Sequence, residues 1–314
     1  MHHPAARLRA KAQGISRRRP VLTKSQRVSI AGWLCIMPWL IGFILFTVGP
    51  ALASLYFSLT EWALVDTPRF VGLRNFQDLA LRDRRFWQAV YNTLYYAFFM
   101  IPLSRLLAFF MALLLNQQVY GTAVFRTILY IPEVVAGVGS MLLWMWLLHP
   151  QGLLNAILAR IGLGGIDWLS STLWAKPSLI LMGLWSLGNT MVIYLAGLQG
   201  VPVHLYDAAE VDGAGAWSRL RYVTIPQMTP TIFLTLVMGT IGALQVFTAA
   251  YLMTDGGPGD STLFYLLYLY RHAFHYFRMG YASAMAWVLF VTILILTAAQ
   301  LVLSRRWVYY EYEG

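Results

Sequence analysis

The sequence predicts an all-α, polytopic membrane protein with six transmembrane helices. Three observations carry this. The 314-residue chain is 59% hydrophobic and 11% charged, whereas a soluble domain carries about 25% charged residues. Six apolar runs occupy 30–59, 89–115, 127–148, 175–198, 228–254 and 280–303. Each reaches the roughly 20 residues that a hydrocarbon core about 30 Å thick requires. Polar loops separate the runs, a pattern that buried helices of a soluble protein do not need. Each run must be a helix, because a lone strand in lipid leaves backbone groups unpaired. Pro38 and Pro50 in the first run predict kinks rather than breaks.

The position of the charge sets the orientation. Residues 1–28 hold Arg7, Arg9, Lys11, Arg17, Arg18, Arg19, Lys24 and Arg27 and no acidic residue, within a net charge of +10. A basic arm can bind nucleic acid. Beside a membrane span it instead marks the cytoplasmic side, so no nucleic-acid partner is expected. With six spans both termini are then cytoplasmic. The loops alone would not decide this. Arg126, Arg219, Arg221, Arg305 and Arg306 fall inside, against Arg69, Arg74, Arg82, Arg84, Arg85, Arg160, Lys176, Arg271 and Arg278 outside. The first run is too long for a signal-peptide core and lacks a clear cleavage site, so an uncleaved anchor is expected. The organisation is a cytoplasmic arm at 1–28, a membrane domain at 29–304 with a cytoplasmic loop at 199–227, and a cytoplasmic tail at 305–314. Cys35 is the only cysteine, which excludes an internal disulfide. It is expected to pack inside the first span.

The external loops carry lesser signals. Loop 61–88 contains an amphipathic stretch that suits the outer surface. Loop 149–176 predicts a short helix over 153–161, ended by Gly162 and Gly164. Loop 255–279 opens on a turn, Asp255-Gly256-Gly257-Pro258-Gly259. Its aromatic second half suits an interfacial position, with His272 and His275 facing the surface.

The cytoplasmic loop is the most distinctive stretch. Residues 206–230 are too charged to cross a bilayer and are rich in Ala and Gly. Pro202 suits a helix start, where its missing N–H costs little. A short helix follows over 205–211, with Asp207 near its N-terminus, where negative charge is favourable. Gly213 suits the left-handed position that stops it. Ala208 and Ala209 allow close approach of a partner. Trp217 and Leu220 predict a second short helix whose apolar face folds back onto the spans.

This spacing resembles the EAA loop of bacterial ABC importer permeases. Asp207-Ala208-Ala209-Glu210, then Asp212-Gly213-Ala214, stand in that register, followed by Leu220, Val223 and Pro226. Asp207 replaces the usual glutamate, and Leu220 a common phenylalanine. PWLIGFILFTVGPALASLYFSLTEW looks like the family's first span, and YLAGLQGVP leads into the loop as in carbohydrate permeases, while QVFTAAYLMTDGGPGDST and AFHYFRMGYASAMAWVLF resemble the maltose- and glycerol-phosphate-type first permease subunit. The resemblance implies a type I importer permease fold in a prokaryotic inner membrane and a sugar as cargo. It implies that Asp207, Ala208, Ala209, Glu210, Asp212, Gly213, Ala214 and Leu220 couple to an ATPase. The implied partners are a second, homologous permease, a dimeric nucleotide-binding ATPase, an extracytoplasmic sugar-binding protein and membrane lipid. ATP and Mg would bind to the ATPase, with no cofactor on this chain.

The residues agree that energy comes from elsewhere. The only lysines are Lys11, Lys24 and Lys176, and none sits in a phosphate-binding glycine loop. A secondary carrier is the alternative, and it would place carboxylates within its spans. Glu133 is the one clear case and Arg105 the one mid-span cation. Each is either a functional polar group or a helix-end, cavity or interhelical contact. No catalytic or metal grouping is identifiable. A sugar site wants aromatic faces and amide or hydroxyl groups near the midplane. Trp185, Asn189 and Tyr194 in the fourth run and Gln245, Thr248 and Tyr251 in the fifth supply them. Asn189 and Gln245 either meet substrate or hydrogen-bond between helices.

Overall fold

The structure is a computed structural model that describes residues 23–309 except 65, 118, 119 and 136. Most of the basic arm and the end of the tail lie outside the described residues. The chain divides after Ser54 into two compact units.

The first unit contains α1 (Lys24–Phe43), a π-helical turn at Ile44–Val48 and the start of α2 (Gly49–Ser58). Helix α1 runs through Pro38 without a break. The wide turn precedes Pro50 and closes with the Gly49 N–H on the Ile44 carbonyl. Such a turn absorbs the ladder bond that a proline cannot donate. Cys35 is exposed rather than packed.

The second unit holds the rest. Two-residue strands β1 (Thr60–Glu61) and β2 (Arg69–Phe70) pair antiparallel, Thr60 opposite Phe70. They lead to α3 (Arg74–Leu81), which buries Asn75 and Leu79 on one face and leaves Leu81 exposed. Asn75 Nδ2 donates to the carbonyls of Ser58 and Thr60, fixing this turn.

Helix α4 (Arg84–Leu115) is the axis of the unit. Its buried residues Ala89, Thr93, Ala97, Ser104, Ala108, Ala112 and Leu115 recur at helical spacing. Small residues on that stripe let neighbouring backbones come close. Helices α5 (Thr122–Val134), α6 (Val138–Leu147) and α7 (Leu153–Arg160) follow. So do α8 (Ala175–Gly183) and α9 (Gly188–Gln199). The elements of the 199–227 loop are α10 (Val203–Val211), α11 (Ala216–Arg219) and a π-helical turn at Leu220–Thr224. Then come α12 (Ile225–Leu244), α13 (Thr248–Met253), α14 (Tyr265–Tyr270), a π turn at Arg271–His275 and α15 (Met279–Ser304). Helices α4, α9 and α12 pack mutually around Ala108, Ala112, Met191, Tyr194 and Met228.

Among the described residues, four helices are long and apolar enough to span: 28–58, 84–115, 216–253 and 279–304. The third and fourth expected spans are instead bent pairs, α5 with α6 and α8 with α9, which brings the number to six if each pair is one span. The fifth is interrupted between α12 and α13. Breaks at membrane depth are tolerated where protein or a cavity satisfies the freed backbone.

The segment expected at the interface is core instead. Leu263, Phe264, Tyr265, Leu267 and Tyr268 are all buried. Long-range bonds hold them. Asn92 Nδ2 donates to the carbonyls of Asp260 and Leu263, and Tyr265 N–H donates to Thr93 Oγ1. Asp83 caps α4 by accepting from Phe86 N–H, and its other oxygen accepts from the Tyr268 and Tyr281 hydroxyls at 2.7 and 2.6 Å. One carboxylate thus ties α4, α14 and α15 together.

His272 corrects the sequence expectation too. It is 4% exposed, ringed by Tyr268, Tyr276 and Tyr281, and neither ring nitrogen has a hydrogen-bond partner among the described residues. His275 alone is exposed. Burial, with Arg278 nearby, pushes the His272 pKa down to about 4, while Asp83 pulls the other way. Burial pushes the Asp83 carboxyl up, but the bonds from Tyr281, Tyr268 and Phe86 outweigh it and hold it below its ordinary range. A depressed histidine contributes stability above pH about 6.5 that is lost as pH falls toward its folded value. The melting temperature of the purified protein is therefore expected to fall between pH 6.5 and 4. His272→Leu is expected to flatten that fall, and an unchanged pH profile would remove His272 as its origin.

Candidate functional site

The loop after the fourth expected span builds a protruding helix. Pro202 occupies the N-cap position in extended conformation (φ −61°, ψ 128°), and α10 starts two residues earlier than the spacing suggests. Asp207 therefore lies in the second turn, beyond the strongest field of the N-terminus. The C-terminus is a complete Schellman motif. Gly213 has φ +74°, its N–H donates to the Glu210 carbonyl, and Ala214 N–H donates to the Ala209 carbonyl at 2.8 Å. That left-handed position is where a residue without Cβ fits.

Val203, His204, Asp207, Ala208, Glu210, Val211, Asp212 and Gly213 are exposed, Val211 at 89%. Ala209, Ala214 and Leu220 are half-buried. An apolar and acidic ridge is thus exposed along α10. Arg219 Nη1 meets Glu210 Oε2 at 3.3 Å, and the Tyr206 hydroxyl meets Thr224 Oγ1 at 3.0 Å. These contacts brace α10 against α11 and the head of α12. Trp217 does not fold back onto the spans, as the spacing predicts; it is 73% exposed. The α-helix lasts only to Arg219, and a π turn follows at Leu220–Thr224. Beneath α10 lies a cleft of about 270 Å³ lined by Leu205, Tyr222, Val223, Pro226, Gln227 and Tyr309.

The residues considered for a sugar pathway gather at the two breaks. Trp185 and Asn189 flank the α8–α9 bend and are exposed, Trp185 resting edge-on against Trp144. A cleft of about 160 Å³ there is lined by Ser140, Trp144, Trp185 and Ser186 among others. Gln245 and Thr248 are exposed at the α12–α13 break, and Tyr251 stacks on Phe247. Helix α6, which carries Trp144, packs on α13 and so stands between the two groups. Tyr194 is elsewhere. It is 1% exposed in the α4–α9–α12 core, and its hydroxyl is paired with Thr235 Oγ1 at 2.6 Å.

Glu133 accepts from the Ser186 hydroxyl at 2.5 Å, across to the α8–α9 bend. Arg105 reaches from α4 to both α9 and α12. Its Nε donates to the Thr235 carbonyl at 3.0 Å, and Nη1 approaches Thr190 Oγ1 at 3.3 Å. The guanidinium lies where a Cβ on Gly239 would be, its Cζ only 2.7 Å from that position. Thr190, Ser186 and Gly239 were not among the sequence candidates. Gly239 is the one that left a trace, as one of the two glycines, with Gly242, in α12.

A family model described as "Binding-protein-dependent transport system inner membrane component" matches residues 79–309. The chain is 41% identical to "Probable ABC transporter permease protein YesP" of Bacillus subtilis, over 90% of this chain and 93% of that protein. It is 32% identical to "Trehalose/maltose transport system permease protein MalF" of Thermococcus litoralis, over 87% and 93%. Among solved structures, a chain of a bacterial ABC transporter involved in the import of the acidic polysaccharide alginate superposes with TM-score 0.77. It is 26% identical, over 90% of this chain and 98% of that one. The same kind of transporter, in complex with an alginate pentasaccharide-bound periplasmic protein, gives TM-score 0.78 at 25% identity, over 90% and 96%.

Proposed function

This chain belongs to the family of binding-protein-dependent transport system inner membrane components, and we propose that it is one of two permease subunits of an ATP-driven sugar importer. The observation that carries the reading is α10, a capped, braced and exposed helix directly after the fourth span. An exposed ridge of Val203, Ala208 and Val211 beside Asp207 and Glu210 suits a groove on another protein better than open water. That protein is the dimeric ATPase, which holds ATP and Mg. Both termini and α10 face the cytoplasm. The second, homologous permease completes the pathway, and an extracytoplasmic binding protein delivers the sugar. Sugar as cargo is supported by the relatives whose names carry trehalose, maltose and lactose.

Closure of the ATPases moves α10. The Arg219–Glu210 and Tyr206–Thr224 contacts pass that motion to α12, and the spans rock between outward- and inward-open states. Trp185, Asn189, Gln245, Thr248 and Tyr251 offer a sugar aromatic faces and amide or hydroxyl partners at the helix breaks.

The test is sugar uptake into vesicles holding the assembled complex. Uptake is expected to need ATP and to ignore ionophores; uptake driven by an ion gradient alone would establish a secondary carrier instead. In the same assay Asn189→Leu and Gln245→Leu are each expected to lower uptake by about tenfold or more, the scale of one lost substrate hydrogen bond in a closed site. Assembly should be unchanged. Wild-type rates in both variants would place the sugar elsewhere.

A further inference from the structure

The head of α12 is a helix short of ladder bonds. Just before it, the π turn at Leu220–Thr224 widens the ladder, with the Ile225 N–H on the Leu220 carbonyl. Pro226 and Pro230 then stand four residues apart in its first two turns. In an α-helix the N–H of residue 230 would donate to the carbonyl of residue 226, and a proline has none. Thr229 fills the gap: its hydroxyl donates to the Pro226 carbonyl at 2.7 Å. The same Oγ1 accepts from the Tyr309 N–H at 2.9 Å, 80 positions away. Thr229 is 7% exposed, so water does not compete for either bond.

Residues 307–309 fasten to that head. They leave α15 by a turn in which the Trp307 and Val308 N–H groups both donate to the Ser304 carbonyl, at 3.0 and 2.8 Å. Trp307 then rests edge-on against buried Phe233, ring centroids 6.1 Å apart. Tyr309 lines the cleft beneath α10, together with Leu205 and Pro226. Further along, Gln300 Nε2 donates to Thr240 Oγ1 at 2.7 Å and ties α15 to α12. The end of the chain thus bridges both prolines, from Phe233 beyond Pro230 to the cleft at Pro226. Helices bend at prolines and where a threonine hydroxyl bonds back into the ladder. A strap held on both sides of such a point fixes the bend. The Tyr206–Thr224 contact brings α10 to the same place.

Resting on the importer reading above, we propose that Thr229 and residues 307–309 form a strap across the proline-weakened head of α12, and that motion of α10 reaches the spans only while this strap is fastened. Thr229 is a positioning residue: it holds the Pro226 carbonyl and the Tyr309 N–H at once. Trp307 anchors the strap on Phe233. With the strap released, the head of α12 bends freely and absorbs the motion, so ATP is hydrolysed without matching uptake.

The experiment uses the assembled importer with its binding protein in ATP-loaded proteoliposomes, and reads uptake and ATP hydrolysis together. The probes are maltose, trehalose, lactose and alginate oligosaccharides, and the variants are measured with the one that wild type takes up fastest. Thr229→Val keeps the shape and removes both bonds. It is expected to lower uptake per ATP hydrolysed by about fivefold or more, the scale of one lost hydrogen bond. Hydrolysis should change by less than about twofold, and the ATPase should still co-purify. Thr229→Ser keeps the hydroxyl and should restore most of the ratio. A chain ending at Arg306 should behave like Thr229→Val, and one ending at Tyr309 like wild type. A wild-type ratio in both Thr229→Val and the chain ending at Arg306 would overturn the inference and leave the importer reading standing. Uptake and hydrolysis falling together in Thr229→Val would also overturn it, by showing a role in packing rather than transmission. So would uncoupling in the chain ending at Tyr309, by assigning the effect to residues 310–314. A wild type with no ATP-dependent uptake of any probe would remove the importer reading and this inference together.

Discussion

Gly213→Trp is expected to abolish ATP-driven uptake while the protein still inserts and folds. Two effects separate here. Gly213 sits at φ +74°, where a residue with Cβ pays about 1–2 kcal/mol. That strain falls on the end of one short, exposed helix and not on the packed spans. The larger effect is steric. Nothing lies within 4 Å of a Cβ at this position, so the indole would stand on the exposed ridge rather than clash within the chain. It would add an aromatic group of about 150–250 Å² beside exposed Ala208 and Val211. A groove matched to Ala208, Gly213 and Ala214 could not close over it. Co-purification of the ATPase is expected to fall by more than about tenfold, as for a centrally placed clash at an interface. Gly213→Ala carries the strain without the bulk, and its expected loss is mild. If the tryptophan variant bound the ATPase and transported normally, α10 would not be the docking element.

Gly280→Val is expected to act on the fold itself. Gly280 is the second residue of α15 and is buried against the turn before the β-hairpin. A Cβ there would collide with the Thr60 carbonyl oxygen and lie 3.2 Å from the Phe57 carbonyl oxygen. Both obstacles are backbone, so no rotamer change relieves them. The Gly280 N–H also donates to the Trp62 carbonyl at 3.3 Å, which fixes the separation. Overpacking of this kind costs about 1–3 kcal/mol or more. The expected result is a large loss of monodisperse protein and a lower melting temperature in what remains. Gly164→Ala, with nothing within 4 Å and no left-handed backbone, is the control and should behave as wild type. Equal stability of the two variants would contradict the tight α15–hairpin contact.

What the sequence revealed and what it hid follow from the range of the forces involved. Span existence depends on local apolar content, so the six runs were legible. The α7 helix, at Leu153–Arg160 against an expected 153–161, follows from local periodicity and Gly162. The end of α10 was legible because only one residue type tolerates the backbone at 213. The core segment around Leu263–Tyr268 was not. Its aromatic, apolar composition is the same whether it meets lipid headgroups or a packed interior. Burial there is decided by Asp83, Asn92 and Thr93, more than 160 positions away. Trp217 was misplaced because three-residue spacing gives a shared helix face but not the direction in which that face points. Tyr194 offered a hydroxyl to a pathway in sequence, but in space Thr235 already holds it. The bend between α8 and α9 had a signal in Gly183 and Gly188. A Cβ at Gly188 would crowd Tyr130 and Glu133, at 3.0–3.3 Å.

The most direct test of the account is to isolate this chain by an affinity tag from gently solubilised membranes and identify what co-purifies. A second, homologous permease and a nucleotide-binding ATPase are expected to co-purify, with the ATPase lost from Gly213→Trp. A wild-type chain that purifies alone, and still moves solute under an ion gradient without ATP, would contradict it.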